Sequence, residues 1–144
     1  MIAERGGIHC SRDEIRFSLL KDGEDYFAHE DLVFSKWIEQ INDALWSDET
    51  NVYVDATHLN DKSRNKVLKE LDKNIDFIAT LVIFDIPLKT CLERNEQRTG
   101  RAYVPPQVIR NMYACFEKNT QYGLDKVYVR EENENDISNI RFAF

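Results

Sequence analysis

Cysteine is scarce in this chain: Cys10, Cys91 and Cys115 are the only three among 144 residues. The number is odd, the spacing is wide and no Cys-x-x-Cys pair occurs. That argues against a zinc site or a disulfide framework and leaves reduced thiols as the default. Long apolar runs are also lacking, so no segment is expected to cross a bilayer. The opening Met-Ile-Ala-Glu-Arg-Gly-Gly has no apolar signal-peptide core. The expectation is a cytoplasmic protein with no membrane partner. Positive charge is in short supply, with a formal net charge of −7 and a pI near 5.0. This excludes a wholly basic nucleic-acid coat but permits a local basic patch. No internal repeat or low-complexity linker is visible. The apolar share of 42%, with 11% aromatics, is enough for one core, and the length fits a single domain over residues 1–144.

Four segments read as strands: 7–11, 51–57, 77–85 and 126–130. The second is β-branched and aromatic. The third is almost wholly apolar, as a strand buried on both faces should be. Helical spacing fills the gaps. Leu32, Val33, Phe34, Trp37, Ile38, Ile41, Ala44 and Leu45 form one apolar stripe. Val67, Leu68 and Leu71 form a second within 62–73, behind a cap at Asn60 or Asp61. Pro87 opens a third helix and Pro105-Pro106 a fourth. Trp37 and Trp46 read as core or rim, Tyr113 and Phe116 as core, and the acidic run 131–136 as a solvated turn. Strands alternating with helices imply a three-layer α/β fold with a mostly parallel sheet. Ligands bind such sheets beyond the carboxyl ends of the strands.

Those ends carry the polar chemistry. The first leads into Ser11-Arg12-Asp13-Glu14-Ile15-Arg16, the second into Asp55-Ala56-Thr57-His58-Leu59-Asn60, with Arg64 a turn beyond. The third ends at Asp85 and leads through a short helix to Glu93-Arg94-Asn95-Glu96-Gln97-Arg98-Thr99-Gly100-Arg101. Phosphoryl transfer needs this mixture: a carboxylate to take a hydroxyl proton, another to hold a divalent cation, and guanidinium groups to neutralise the phosphoryl oxygens. Arg94, Arg98 and Arg101 would form a cationic comb on one helix face, unless Thr99-Gly100 breaks the helix first. A plainer account remains open for each: Asp13 and Arg16 as a helix-start surface pair, Asp55 as a turn cap, and the arginines as a solvated face balanced by Glu93 and Glu96. His9, His29 and His58 are too scattered to suggest a metal site.

The segments at 11–16, 54–60 and 93–98, followed by Val104-Pro105-Pro106-Gln107-Val108-Ile109-Arg110-Asn111-Met112-Tyr113, occur in the order found in P-loop kinases. Over roughly residues 5 to 130 the chain resembles the polynucleotide-kinase-like and zeta-toxin-like groups of those proteins. The resemblance implies a P-loop nucleoside-triphosphatase fold with ATP and Mg²⁺ as cofactors. It implies a nucleotide, a 5′-hydroxyl nucleic acid, a small metabolite or a sugar nucleotide as acceptor partner, with no choice among them, and a lid at about 94–104. It casts Asp13 as the general base and Arg16 as a contact to the acceptor's phosphate. Asp55 is the acid near the metal, and Thr57 and Asn60 shape the acceptor side. Arg98 is the lid arginine on the donor phosphates, supported by Arg94, and Arg101 is a further substrate-binding candidate.

One element of the pattern is missing. No Gly-x-x-x-x-Gly-Lys-Ser/Thr occurs anywhere in the sequence, and Met1 to Gly6 resembles the tail of the helix that follows that loop. Backbone amides, a lysine and a metal-binding hydroxyl are therefore not supplied, and the expectation is an N-terminally truncated or degenerate kinase, inactive as written. The family's absent strand would lie between the strand ending at Asp55 and the one ending at Asp85. The two could close up and pair, a homodimer could donate a strand, or upstream residues could supply it. The competing readings are a non-catalytic phosphate- or nucleic-acid-binding module and a prophage or gene-decay remnant.

Overall fold

The computed structural model describes residues 6–47 and 51–117, and the backbone of two further strands at 126–131 and 141–142. The elements run β1 (Ile8–Ser11), α1 (Arg12–Leu19), α2 (Glu30–Trp46), β2 (Val52–Asp55), α3 (Asp61–Glu70), β3 (Thr80–Asp85), α4 (Leu88–Glu96), a 3₁₀ turn (Gly100–Ala102), α5 (Pro106–Ala114), β4 (Lys126–Glu131) and β5 (Arg141–Phe142). The proposed helix tail at Met1–Gly6 lies outside the described residues, apart from Gly6. Most of the acidic run 131–136 also lies outside them, while Glu131 itself is in β4.

The chain packs as two compact units. One holds the described residues up to Thr57 together with Lys66–Phe77; the other holds His58–Asn65 and the described residues from Ile78 onward. The expected single sheet is likewise divided. β1 and β2 form a parallel pair, and β3, β4 and β5 form a separate sheet, with β3–β4 parallel and β4–β5 antiparallel. Among the described residues β2 and β3 belong to different sheets, not to one closed-up pair. The parallel crossovers are as expected from strands alternating with helices; β5 carries no strong periodic signal and was not anticipated.

In the first unit the apolar stripe of α2 makes the core. Val33, Trp37, Ile41 and Ala44, spaced along one helix face, are buried. Cys10 of β1 and Val67 and Leu71 from the end of α3 complete the packed cluster. Trp37 is fully buried, so its indole N–H needs a partner, and it donates to the Cys10 carbonyl at 2.9 Å. That bond ties α2 to the carboxyl end of β1. Burial also pushes the Cys10 thiol above its ordinary pKa, keeping it protonated and unreactive. Trp46 is exposed, and its indole donates to Asp72 at 3.0 Å.

In the second unit the strand expected at 77–85 is shorter. It begins at Thr80, Phe77 and Ile78 are exposed, and only Ile83 is buried, so the run is apolar without being enclosed on both faces. α5 has no fully buried residue; Tyr113 and Phe116 are half-buried. The caps follow local chemistry. Asn60 Oδ1 accepts from the Ser63 N–H at 3.0 Å, placing the start of α3 at Asp61, and Pro87 and Pro105 stand at the N-caps of α4 and α5.

The entry to β1 depends on a missing side chain. Gly7 has φ +121°, and a Cβ there would lie 2.5 Å from the Asn51 carbonyl oxygen and 3.0 Å from the Tyr53 ring. That same carbonyl accepts the Ile8 N–H at 3.0 Å, the first hydrogen bond joining β1 to the β2 segment. Gly7→Ala should therefore lower stability by about 2–4 kcal/mol, through clash and backbone strain together. Gly23→Ala, with open space around it at φ +84°, should cost only about 1 kcal/mol. Urea unfolding of the two variants checks this.

Candidate functional site

β1 and β2 pair in parallel with Ser11 opposite Asp55. Their carboxyl ends are thus level, and the residues immediately after them leave from one end of the pair. Ser11 accepts the Glu14 N–H on its side chain at 3.4 Å and caps α1. This sets Asp13 and Glu14 in the first turn, where the helix dipole favours negative charge. Asp55, exposed at the end of β2, lies 3.3 Å from His9 Nε2, and His9 Nδ1 lies 4.0 Å from Glu14. Thr57 is exposed two residues further on.

Asp13 and Arg16 are more than a surface pair. Arg16 is buried, with 5% of its surface exposed. Its Nη1 donates to Asp13 and, at 2.9 Å, to the Tyr26 hydroxyl. Its Nη2 donates to both carboxylate oxygens of Glu30, at 3.1 and 2.9 Å. Tyr26 in turn donates to Asp13 Oδ1 at 2.9 Å, and its ring lies 4.4 Å from the guanidinium. Burial, then the Asp13 hydrogen bond, raises the Tyr26 pKa, so the phenol stays a donor at neutral pH. Arg12 also pairs with Glu30, and its guanidinium rests over Phe34 and Trp37 at 5.5 and 5.6 Å. Two cations and two carboxylates balance locally, which is what a buried guanidinium requires. Asp13, 61% exposed, is the member that faces solvent.

The second unit holds the remaining candidates. Asn60 caps α3 with its side-chain oxygen. The buried Arg64 donates through Nε to the His58 carbonyl at 2.8 Å and through Nη2 to the Glu117 carbonyl at 2.7 Å, with Asp61 3.5 Å from Nη1. Desolvation pulls its pKa down, and Asp61 opposes the shift. Arg64 thereby fixes the 58–60 turn, where His58 adopts a left-handed φ of 42°. The expected arginine comb is not helical: α4 stops at Glu96, so only Arg94 is on it. Arg98 follows the helix end and Arg101 lies in the 3₁₀ turn. All three are exposed.

Asn95, unremarked in the sequence apart from its place between charged neighbours, holds this loop. It is 1% exposed; its amide donates to the Val104 carbonyl at 2.7 Å and accepts the Val104 N–H at 3.0 Å. The segment from 97 to 103 is thereby closed on a buried amide, with Arg98 and Arg101 in between. His9, Tyr26, Glu30 and Asn95 contact the candidate residues or their loop without being singled out by the sequence: Asn95 lies inside a quoted motif and His9 beside one, while Tyr26 and Glu30 carry no such signal.

The sequence profile of a family described as AAA domain matches residues 1–119. The chain belongs to that family. It is a P-loop nucleoside-triphosphatase family of kinase type, consistent with the parallel strand pairs and the helices between them. No curated protein matches the chain. Members of the family typically bind ATP with Mg²⁺. The residues at hand do not fit that group by themselves: no Gly-x-x-x-x-Gly-Lys-Ser/Thr is present, and the described residues contain no cluster of three metal-ligating side chains. Asp55 is paired with a histidine. Nor is any described helix long and apolar enough to cross a membrane.

Two predictions follow the geometry. Glu30→Ala leaves Arg16 buried beside too little negative charge and should cost about 3 kcal/mol. Asp13→Asn, at an exposed position, should cost less than about 1 kcal/mol; chemical unfolding compares them. Asn95→Ala strips two hydrogen bonds from Val104 and should cost about 2 kcal/mol. In addition, amide hydrogen exchange at Val104 should accelerate while exchange in β1 and β2 is unchanged.

Proposed function

We propose that this chain carries the acceptor side and the lid of a P-loop kinase of the polynucleotide-kinase-like group, which phosphorylates the 5′-hydroxyl of a nucleic acid or a nucleotide-like hydroxyl. The observation that carries the reading is the level pairing of Ser11 with Asp55. It brings the Asp13 and Asp55 carboxylates out from the same end of two parallel strands, where α/β sheets bind ligands.

In this reading Asp13 accepts the proton of the attacking hydroxyl. Arg16 and Tyr26 hold the oxygen Oδ1 and leave the carboxylate's second oxygen for the acceptor. Asp55 orients the acceptor from the neighbouring strand. Arg98 and Arg101 from the exposed 97–103 segment, with Arg94 from the last turn of α4, offer guanidinium groups to phosphate oxygens. Thr57 lies on the acceptor side, and Asn60 and Arg64 keep the turn beyond it in shape. A second reading, a binding module without turnover, draws support from the exposure of Asp13, Arg94, Arg98 and Arg101, which suits recognition alone; a homodimer that shares a strand would be compatible with either.

The test is fluorescence anisotropy with short single-stranded oligonucleotides. A 5′-hydroxyl oligonucleotide should bind at least about fivefold more tightly than its 5′-phosphorylated twin, because a phosphate beside Asp13 meets like charge. Asp13→Asn should narrow that ratio, and Arg98→Ala should weaken both. Equal affinity for the two ends, or no binding of either, overturns the reading. Transfer of label from ATP to the 5′-hydroxyl then separates the kinase from the module.

A further inference from the structure

Three aromatic side chains stand together at the surface, and the middle one, Tyr26, contacts Asp13. Phe27 is 65% exposed, Phe17 38% and Tyr26 37%. Tyr26 packs edge-on against both, with ring centroids 4.8 Å from Phe27 and 6.2 Å from Phe17. Exposed rings gathered in one place mark an interaction surface more often than scattered apolar residues do. The place is not arbitrary, because the Tyr26 hydroxyl is hydrogen-bonded to the candidate base.

We propose that this aromatic face stacks the terminal nucleobase of the acceptor, so that the acceptor is a nucleoside end and not a simple alcohol. The proposal rests on the 5′-hydroxyl reading above and names what recognises the rest of that substrate. Three observations select a base over other occupants. A base is flat and stacks on aromatic rings irrespective of its sequence identity. A nucleoside spans the short step from a stacked ring to a sugar hydroxyl, matching a platform whose middle ring touches Asp13. The rim is acidic: Glu24 and Asp25 flank the rings, and the Asp25 carboxylate accepts the Phe27 N–H at 2.8 Å. An uncharged base tolerates that rim and a phosphate does not, so the platform takes the base while the strand's phosphates leave on another side.

Tyr26 has two jobs in this arrangement, and they are separable. Its hydroxyl positions Asp13 and its ring carries the stack. Phe27 has only the second, and its exposure means that its removal leaves the core untouched.

The experiment measures anisotropy for a 5′-hydroxyl oligonucleotide and for the same strand with an abasic 5′-terminal residue. The wild-type protein should bind the intact strand about tenfold more tightly. Phe27→Ala should lose that preference while leaving the abasic strand's affinity unchanged. Tyr26→Phe, which keeps the ring, should retain it. If intact and abasic strands bind alike, or if Phe27→Ala weakens both equally, the stacking proposal is overturned and the face belongs to another partner. The preference for 5′-hydroxyl over 5′-phosphate would still stand in that case. If neither strand binds, both readings fall together.

Discussion

A guanidinium cannot be buried without anions to meet it, and the arrangement around Arg16 follows from that constraint. Glu30 grips one edge of its fork with both oxygens; Asp13 and the Tyr26 hydroxyl take the other nitrogen. The cost of desolvating the charge is offset only while these partners stay in place. The ion pair therefore joins α1, the turn holding Tyr26 and the first turn of α2. Asp13 is oriented as a by-product, since its carboxylate is one of the required counter-charges yet remains open to water.

Beneath this polar layer lies the apolar one. The Trp37 indole donates to the Cys10 carbonyl, one residue before Ser11 caps α1. The position of α2 therefore sets the end of β1, and the end of β1 sets the direction in which Asp13 departs. A polar constellation on α1 is made rigid by a helix whose own sequence reads as nothing more than an amphipathic stripe. The second unit uses a related device. The buried Asn95 amide pairs with both backbone groups of Val104, and the buried Arg64 guanidinium donates to the His58 and Glu117 carbonyls.

Membership of the AAA domain family over residues 1–119 agrees with a kinase-type ancestry, while the donor-phosphate loop is not among the residues of the chain. The side chains at hand provide carboxylates, a positioned phenol and exposed guanidinium groups, which suit recognition as readily as catalysis.

Periodicity and composition were sufficient for most of the elements, though not for β5 or for the start of β3. The stripe of α2, the β-branched run of β2, the prolines opening α4 and α5, and the Asn60 cap all depend on short-range sterics and hydrogen bonding, which a local stretch of sequence encodes. The order of motifs named Asp13, Asp55 and Arg98 as candidate site residues. Pairing was another matter. Whether β2 joins β3, whether Phe77 and Ile78 are enclosed, and where α4 ends depend on what packs alongside. For the same reason the partners of Arg16 were hidden. Tyr26 and Glu30 lie ten and fourteen residues away, beyond any helical or strand repeat, and Asn95 and Val104 are linked across a loop. Those contacts exist because burial of one charge or one amide compels distant groups to meet it, and only the tertiary structure decides which groups those are.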